Sequence, residues 1–172
     1  HSSERVILKR WRLDGTLIDE SDSAELGYVQ IKPSDAAAYF RRGRLSSDPF
    51  DRFRNFYLAA ENIADRIRDR KRLGRPGEEE LFRKALEECF AGRLGALRNE
   101  TTSVPGFATT GDILSDTARY LYEGHRCQLA HAKARQNKKV PFNPIDEHAV
   151  RAALPLMEFV AKELLSYEEA YL

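Results

Sequence analysis

Arg126 and His131 are the two side chains of this sequence whose types and spacing best suit them to chemistry. They lie five positions apart in a segment, Gly111 to Arg135, whose apolar residues recur at helical spacing. At about 100° per residue they project roughly 140° apart, on the two edges of one helix face. A guanidinium can bind a phosphate and stabilise developing negative charge, and an imidazole that titrates near neutral pH can accept a proton. The pair is therefore suited to electrostatic and acid–base chemistry.

The helix face between these two residues carries unusually small side chains. It carries Cys127, Ala130 and Ala134, where the outer face of a helix normally carries charged side chains. Small residues let a second helix approach closely, so we predict that this face is a helix–helix contact, with Arg126 and His131 directed into the adjoining groove. The opposite stripe of the same segment is apolar and faces the core of the domain, and His125 lies on it as an expected packed residue.

Other catalytic chemistries have no support in the sequence. It contains no glycine-rich phosphate loop, no G-x-S-x-G, no H-E-x-x-H and no paired cysteines. Cys89 and Cys127 lack the spacing of metal ligands, so we predict no metal and no cofactor. The net charge of +1 gives no general reason to expect nucleic-acid binding. Only a local basic segment after the predicted helix could supply it, through Lys133, Arg135, Lys138 and Lys139.

Helices must position these residues, and their starts are marked in the sequence. Asp48 and Pro49 predict the start of a helix that runs to about Arg70, three glutamates open the next at Glu78, and Asn143 starts the last one. Connections between these helices predict an antiparallel arrangement. The fold class is therefore mainly α, an antiparallel four- to five-helix bundle with a small N-terminal β-hairpin or strand element.

We predict that the N-terminal part of the chain is separate from this bundle. Residues 1–4 look like the remnant of a tag. Residues 5–46 predict strands around an Asp14-Gly15 turn, followed by a short helix that Gly43 closes, and residues 47–172 form the bundle. The first residue is not methionine, which favours a piece of a longer protein with further domains. The sequence shows no membrane span and no signal peptide, and its cysteine usage favours a reducing compartment, so we expect a cytoplasmic protein.

Three segments of this sequence resemble the HEPN-domain superfamily. The run L-Y-E-G-H-R-C-Q-L-A-H-A-K-A contains the R-x4-6-H motif of that superfamily as Arg126 and His131, and looks like its motif helix. The run F-R-N-F-Y-L-A-A-E-N-I and the closing helix resemble other parts of the same bundle, so the likeness covers Pro49 to Leu172. One departure is Cys127, because the residue after the motif arginine is often polar in active members.

The resemblance implies a homodimer whose two motif helices form a composite RNA-cleaving site, usually without a metal. Arg126 and His131 would be catalytic, and since they diverge on one helix, a two-fold mate would bring its histidine to the first chain's arginine. Glu123, one turn before Arg126, and Glu61, in an earlier helix, could orient the guanidinium. Cys127, Ala130 and Ala134 would form the dimer contact. Phosphate contacts at the mouth of the groove would come from Lys133, Arg135, Lys138 and Lys139.

We therefore predict a metal-independent endoribonuclease. From the resemblance alone, we expect it to be the effector part of a larger prokaryotic antiviral defence or toxin-type protein. The alternative is a non-catalytic HEPN-like module that dimerises and binds nucleic acid, a nucleotide or a partner protein. A third possibility is a helical interaction domain in which Arg126 and His131 only pair with acidic side chains across an interface.

Overall fold

The described part of the chain is mainly helical. The computed structural model describes residues 34–130, 139–141 and 143–172, and the predicted β element of residues 5–32 lies outside them. Among the described residues no helix has the length and apolar character needed to cross a membrane. The helices in chain order are α1 (Asp35–Leu45), α2 (Pro49–Lys71), α3 (Glu78–Cys89), α4 (Leu94–Thr102), α5 (Ile113–Leu121), a π-helical segment (Tyr122–Arg126), α6 (Cys127–Ala130) and α7 (Pro144–Tyr171).

Side-chain caps fix where the long helices begin. The carboxylate of Asp48 accepts a hydrogen bond from the Asp51 backbone N–H at 2.8 Å, one position before Pro49. The Asn143 side chain caps α7 in the same way. These caps satisfy N–H groups that a helix start leaves without a partner. The predicted starts of both helices are confirmed, and α2 ends one residue beyond the predicted Arg70.

The core lies around α2, which packs against α1, α3 and α7. Phe53, Phe56 and Ile63 of α2 are fully buried, and they follow the three- and four-residue spacing that places side chains on one helix face. Leu86 of α3 and Leu156 of α7 complete the same cluster. Burial of such large apolar side chains is the main force that stabilises this arrangement.

Ion pairs give the relative directions of three helices. In the middle of α7, Glu158 binds Arg44 of α1 and Arg52 of α2. Near the C-terminal end of α7, the buried Glu168 accepts from Ser34, just before α1, and pairs with Arg66 of α2. Helix α1 therefore runs antiparallel to α7, whereas α2 and α7 run in the same direction. The predicted antiparallel packing does not extend to α2 and α7, because the helical segments and loops between them leave their relative direction free.

Helix α1 belongs to the helical unit, which clusters as residues 33–172. The predicted boundary after residue 46 separated α1 from this unit. Gly43 does not close the helix as predicted, since α1 continues to Leu45. Instead Gly43 is buried where α1 crosses α2, and a Cβ there would stand 2.7 Å from the Phe56 ring. Glycine is required at this position by close approach of the two helices.

The predicted helix of residues 111–135 is not uniform. It starts at Asp112, whose carboxylate caps α5, and changes to π-helical geometry at Tyr122–Arg126. The Cys127 backbone N–H donates to the Tyr122 carbonyl, five residues back. The extra residue in this turn changes the phase of the helix, so the regular spacing of about 100° used above does not hold through it.

Asp116 fixes the loop before α5. Its carboxylate accepts hydrogen bonds from the Thr109 hydroxyl at 3.2 Å, the Thr110 hydroxyl at 2.8 Å and the Thr110 backbone N–H at 2.6 Å. Although burial disfavours its charge, these donors hold the pKa of Asp116 below its usual value. The position of the following helix is thus tied to the loop that precedes it.

Candidate functional site

Arg126 lies at the end of the π-helical segment and faces two carboxylates from other helices. Its Nη2 is 3.0 Å from Glu78 Oε2, at the start of α3, and 3.6 Å from Glu61 Oε1, in the middle of α2. The Arg126 side chain is 24% exposed. A half-buried guanidinium with carboxylate partners is held more firmly than one on an open surface. The three helical segments that supply these residues therefore meet at one point.

Two tyrosine rings complete the surroundings of Arg126. Its Cζ lies 5.5 Å from the centre of the Tyr122 ring and 5.9 Å from that of the Tyr57 ring. Both distances are within the range of cation–π attraction. The Tyr122 hydroxyl donates to Glu78 Oε2 at 3.0 Å, so the same carboxylate binds the guanidinium and the phenol. Glu78, Tyr122 and Arg126 form one hydrogen-bonded and ion-paired group.

Burial and neighbouring charges both shift the pKa values of the side chains around Arg126. Burial raises the pKa of Glu61, and the guanidinium of Arg126 only partly offsets it. Burial also disfavours the charged form of Arg126, but Glu78 and Glu61 outweigh it and raise its pKa. Burial, followed by the neighbouring Cys127 thiol and Glu78 carboxylate, raises the pKa of Tyr122. Arg126 therefore stays charged, and the two tyrosines keep their phenolic protons at neutral pH, since burial and Glu61 raise the pKa of Tyr57 as well.

A cleft of about 350 Å³ opens beside Arg126. Its lining combines two arginines and one carboxylate with apolar and aromatic side chains, and consists of Phe53, Arg54, Tyr57, Leu58, Glu61, Arg126 and Leu129. Such a mixture of a few polar groups with apolar walls is typical of binding sites. In the described part of the chain, no group of three or more His, Cys, Asp or Glu side chains is placed to hold a metal ion.

The structure brings some predicted site residues together and places others apart. Glu61 lies next to Arg126, as stated above. Glu123 is exposed, and its carboxylate lies beside Glu79 and not beside Arg126. Cys127 is half-buried and close to Tyr122. Ala130 is the last residue of α6. The remaining predicted residues lie outside the described part of the chain, and these are His131, Lys133, Ala134, Arg135 and Lys138.

Lys139 does not lie at the mouth of the cleft. Its ammonium turns inward and donates to the Gly124 carbonyl, and Nζ lies 2.8 Å from Nδ1 of His125. His125 is buried, at 4% exposure, as the apolar stripe predicted. Its ring packs against Tyr120 at 4.8 Å and Phe53 at 5.4 Å between ring centres. Lys139 therefore supports the helix from within and does not offer its charge to a ligand in the cleft.

Glu78 and Tyr122 were not predicted as site residues. Glu78 has the sequence signature of a helix start, where acidic residues favour the positive end of the helix dipole. Tyr122 fell on the apolar stripe of a regular helix. Their contact with Arg126 depends on the meeting of α2, α3 and the π-helical segment, and no local pattern in the sequence signals that meeting.

Residues 36–166 match the family described as methylamine utilization protein MauJ. The chain belongs to the MauJ family. This MauJ match covers most of the described residues and includes Glu61, Glu78 and Arg126. No curated protein and no solved structure matches the chain.

Proposed function

We propose that this MauJ-family chain is a metal-independent endoribonuclease that acts as a HEPN-like homodimer. Arg126 binds the scissile phosphate and stabilises its developing charge. His131 of the two-fold mate takes the proton from the ribose 2′-hydroxyl. The setting that we propose is the effector part of a larger prokaryotic defence or toxin-type protein, and it derives from the motif resemblance.

The orientation of Arg126 is the observation that carries the proposal. Both carboxylates approach the same nitrogen, Nη2. Nη2 is the guanidinium nitrogen nearest to each of the two carboxylates. A guanidinium has five N–H donors in a planar fork, so binding through Nη2 leaves donors for a phosphate. The carboxylates thereby fix the direction of the guanidinium beside the cleft, and such pre-organisation favours catalysis.

The proposed pairing of two chains follows from the spacing of the motif. On a regular α-helix, residues five positions apart such as Arg126 and His131 would project roughly 140° apart, so we expect that one chain does not direct both at the same phosphate. A two-fold axis beside Cys127, Ala130 and Ala134 would bring the histidine of one chain to the arginine of the other. The half-burial of Cys127 leaves part of this face accessible to a mate.

RNA cleavage with and without EDTA tests the proposal. We expect cleavage of mixed RNAs that persists in EDTA and falls roughly 100-fold or more in Arg126→Ala and in His131→Ala. Matched controls are Arg70→Ala and His148→Ala, which remove exposed side chains of the same types. Cleavage that both site variants retain would contradict the assignment of the site. A monomer in sedimentation at micromolar concentration would contradict the composite arrangement.

A second candidate function is supported by the same ion pairs. Two carboxylates around one guanidinium leave a negative balance near Arg126, which opposes the approach of a phosphate. A non-catalytic HEPN-like module, whose Arg126 holds α2, α3 and the π-helical segment together, would show this arrangement. It predicts a dimer without RNA cleavage, in which Arg126→Ala lowers the free energy of unfolding. Cleavage by the unmodified chain that Arg126→Ala abolishes, with unfolding unchanged, excludes it.

A further inference from the structure

Lys139 contacts the helical segment that carries Arg126 at three residues, Gly124, His125 and Gln128. Its backbone N–H donates to the Gln128 carbonyl at 3.0 Å. Its ammonium donates to the Gly124 carbonyl and lies 2.8 Å from His125 Nδ1. Two of these contacts fall on the π-helical segment, directly before Arg126. The side chain of Lys139 is therefore built into the part of the helix whose geometry decides where Arg126 points.

The protonation states of the pair suit this contact. Burial and then the charge of Lys139 lower the pKa of His125 to about 3, so its ring is neutral at pH 7 and can accept a hydrogen bond at Nδ1. Burial lowers the pKa of Lys139 to about 8, against the effect of Asp146. Asp146 accepts from the Val140 backbone N–H at 2.9 Å, which keeps that carboxylate near Lys139. At pH 7 an ammonium donor therefore faces a neutral acceptor ring.

A π-helical turn needs such support because a regular α-helix competes with it. The π-turn holds one extra residue, and its conversion to α-helix rotates the preceding and following parts by about 100° relative to each other. The ring of His125 is packed between Tyr120 and Phe53, so a rotation would also break its packing. A donor that binds Gly124 and His125 together favours the π-helical register.

We propose that Lys139 is a positioning residue for Arg126. By holding Gly124 and His125, its ammonium keeps the π-helical register, and this register directs the Arg126 guanidinium at Glu61 and Glu78. The role deepens the proposed ribonuclease function, on which its relevance to RNA cleavage rests. The orientation of Arg126 itself is measurable whether or not the chain cleaves RNA.

The test follows the 13Cζ NMR signal of Arg126, identified by its loss in Arg126→Lys. We expect Lys139→Met to shift this signal, and Lys162→Met, at an exposed lysine of α7, to leave it in place. In the native chain the signal should also move with pH, with a midpoint near the pKa of Lys139, about 8. Lys139→Met should remove that transition. The pH titration keeps the test valid if Lys139→Met folds poorly.

The RNA arm separates this inference from the proposed function. If the native chain cleaves RNA, Lys139→Met should lower the rate roughly 100-fold, as expected for a displaced catalytic group. If the native chain does not cleave RNA, the proposed function fails, and the NMR arm alone decides the inference. An Arg126 signal that neither Lys139→Met nor pH shifts would overturn the positioning role, even where Lys139→Met lowers the stability of the fold.

Discussion

Acid should destabilise this chain through His125. The ring is 4% exposed, packed between Tyr120 and Phe53, and its Nδ1 accepts from Lys139. Burial first, and then the lysine charge, lower the pKa of His125 from 6.5 to about 3. The unfolded chain therefore binds a proton between pH 6.5 and 3 that the folded chain does not. Stability is complete above pH 6.5 and is lost progressively as the pH falls through this window.

The size of the effect follows from the two pKa values. Within the window, each pH unit costs at most about 1.4 kcal/mol of unfolding free energy. Between pH 6.5 and pH 4.5 the loss from His125 alone should be about 2 kcal/mol. A loss of this size is a large fraction of the stability of a typical domain. About half of this loss should be present by pH 5.5, before most carboxylates in the chain begin to titrate.

Urea unfolding at pH 6.5, 5.5 and 4.5, followed by circular dichroism, measures this loss. We expect His125→Gln to have a lower free energy of unfolding than the native chain at pH 6.5, because it loses ring packing. Between pH 6.5 and pH 4.5, however, its free energy of unfolding should fall by about 2 kcal/mol less than that of the native chain. His148→Gln, at an exposed histidine, is the matched control and should keep the native slope. Equal pH slopes for the native chain and His125→Gln would refute the reasoning.

Three further substitutions test the packing around the site. Gly43→Ala should lower the unfolding free energy by about 1 kcal/mol net, because the new methyl group clashes with the Phe56 ring, and a gain in stability would show that the ring can move aside. Asp116→Ala should cost about 2–4 kcal/mol in the same urea assay, since three hydrogen bonds to the loop before α5 are lost. Glu168→Gln should lower the thermal midpoint by removing a buried charge with two partners, whereas Glu169→Gln, at the exposed neighbour, should leave it unchanged.

Helix positions were accessible from the sequence because local chemistry sets them. Asp48 followed by Pro49, and Asn143 followed by Pro144, mark helix starts, and side-chain caps at both positions are seen in the structure. The apolar spacing that predicted a buried His125 also reflects a local rule, since one face of a helix turns to the core. These features need only the residues within a few turns of each other.

The surroundings of Arg126 were not accessible in the same way. Glu78 lies far from Arg126 in the chain, and only the packing of α3 on α5 and α2 brings the two together. The π-helical segment adds one residue to a turn but leaves the local apolar pattern nearly unchanged, so periodicity does not reveal it. Lys139 was predicted as a phosphate contact within a local basic segment, and its inward turn depends on the buried acceptor that His125 provides.

The π-helical segment also affects how this chain should be aligned with others. The R-x4-6-H spacing is counted from the last residue of that segment, so an extra residue in the turn does not alter it. The spacing from Arg126 back to core positions such as Leu121 does include the extra residue. An alignment with a helix of regular geometry therefore needs a one-residue gap between Leu121 and Arg126. Without that gap, either the core positions or the motif would be matched to the wrong residues.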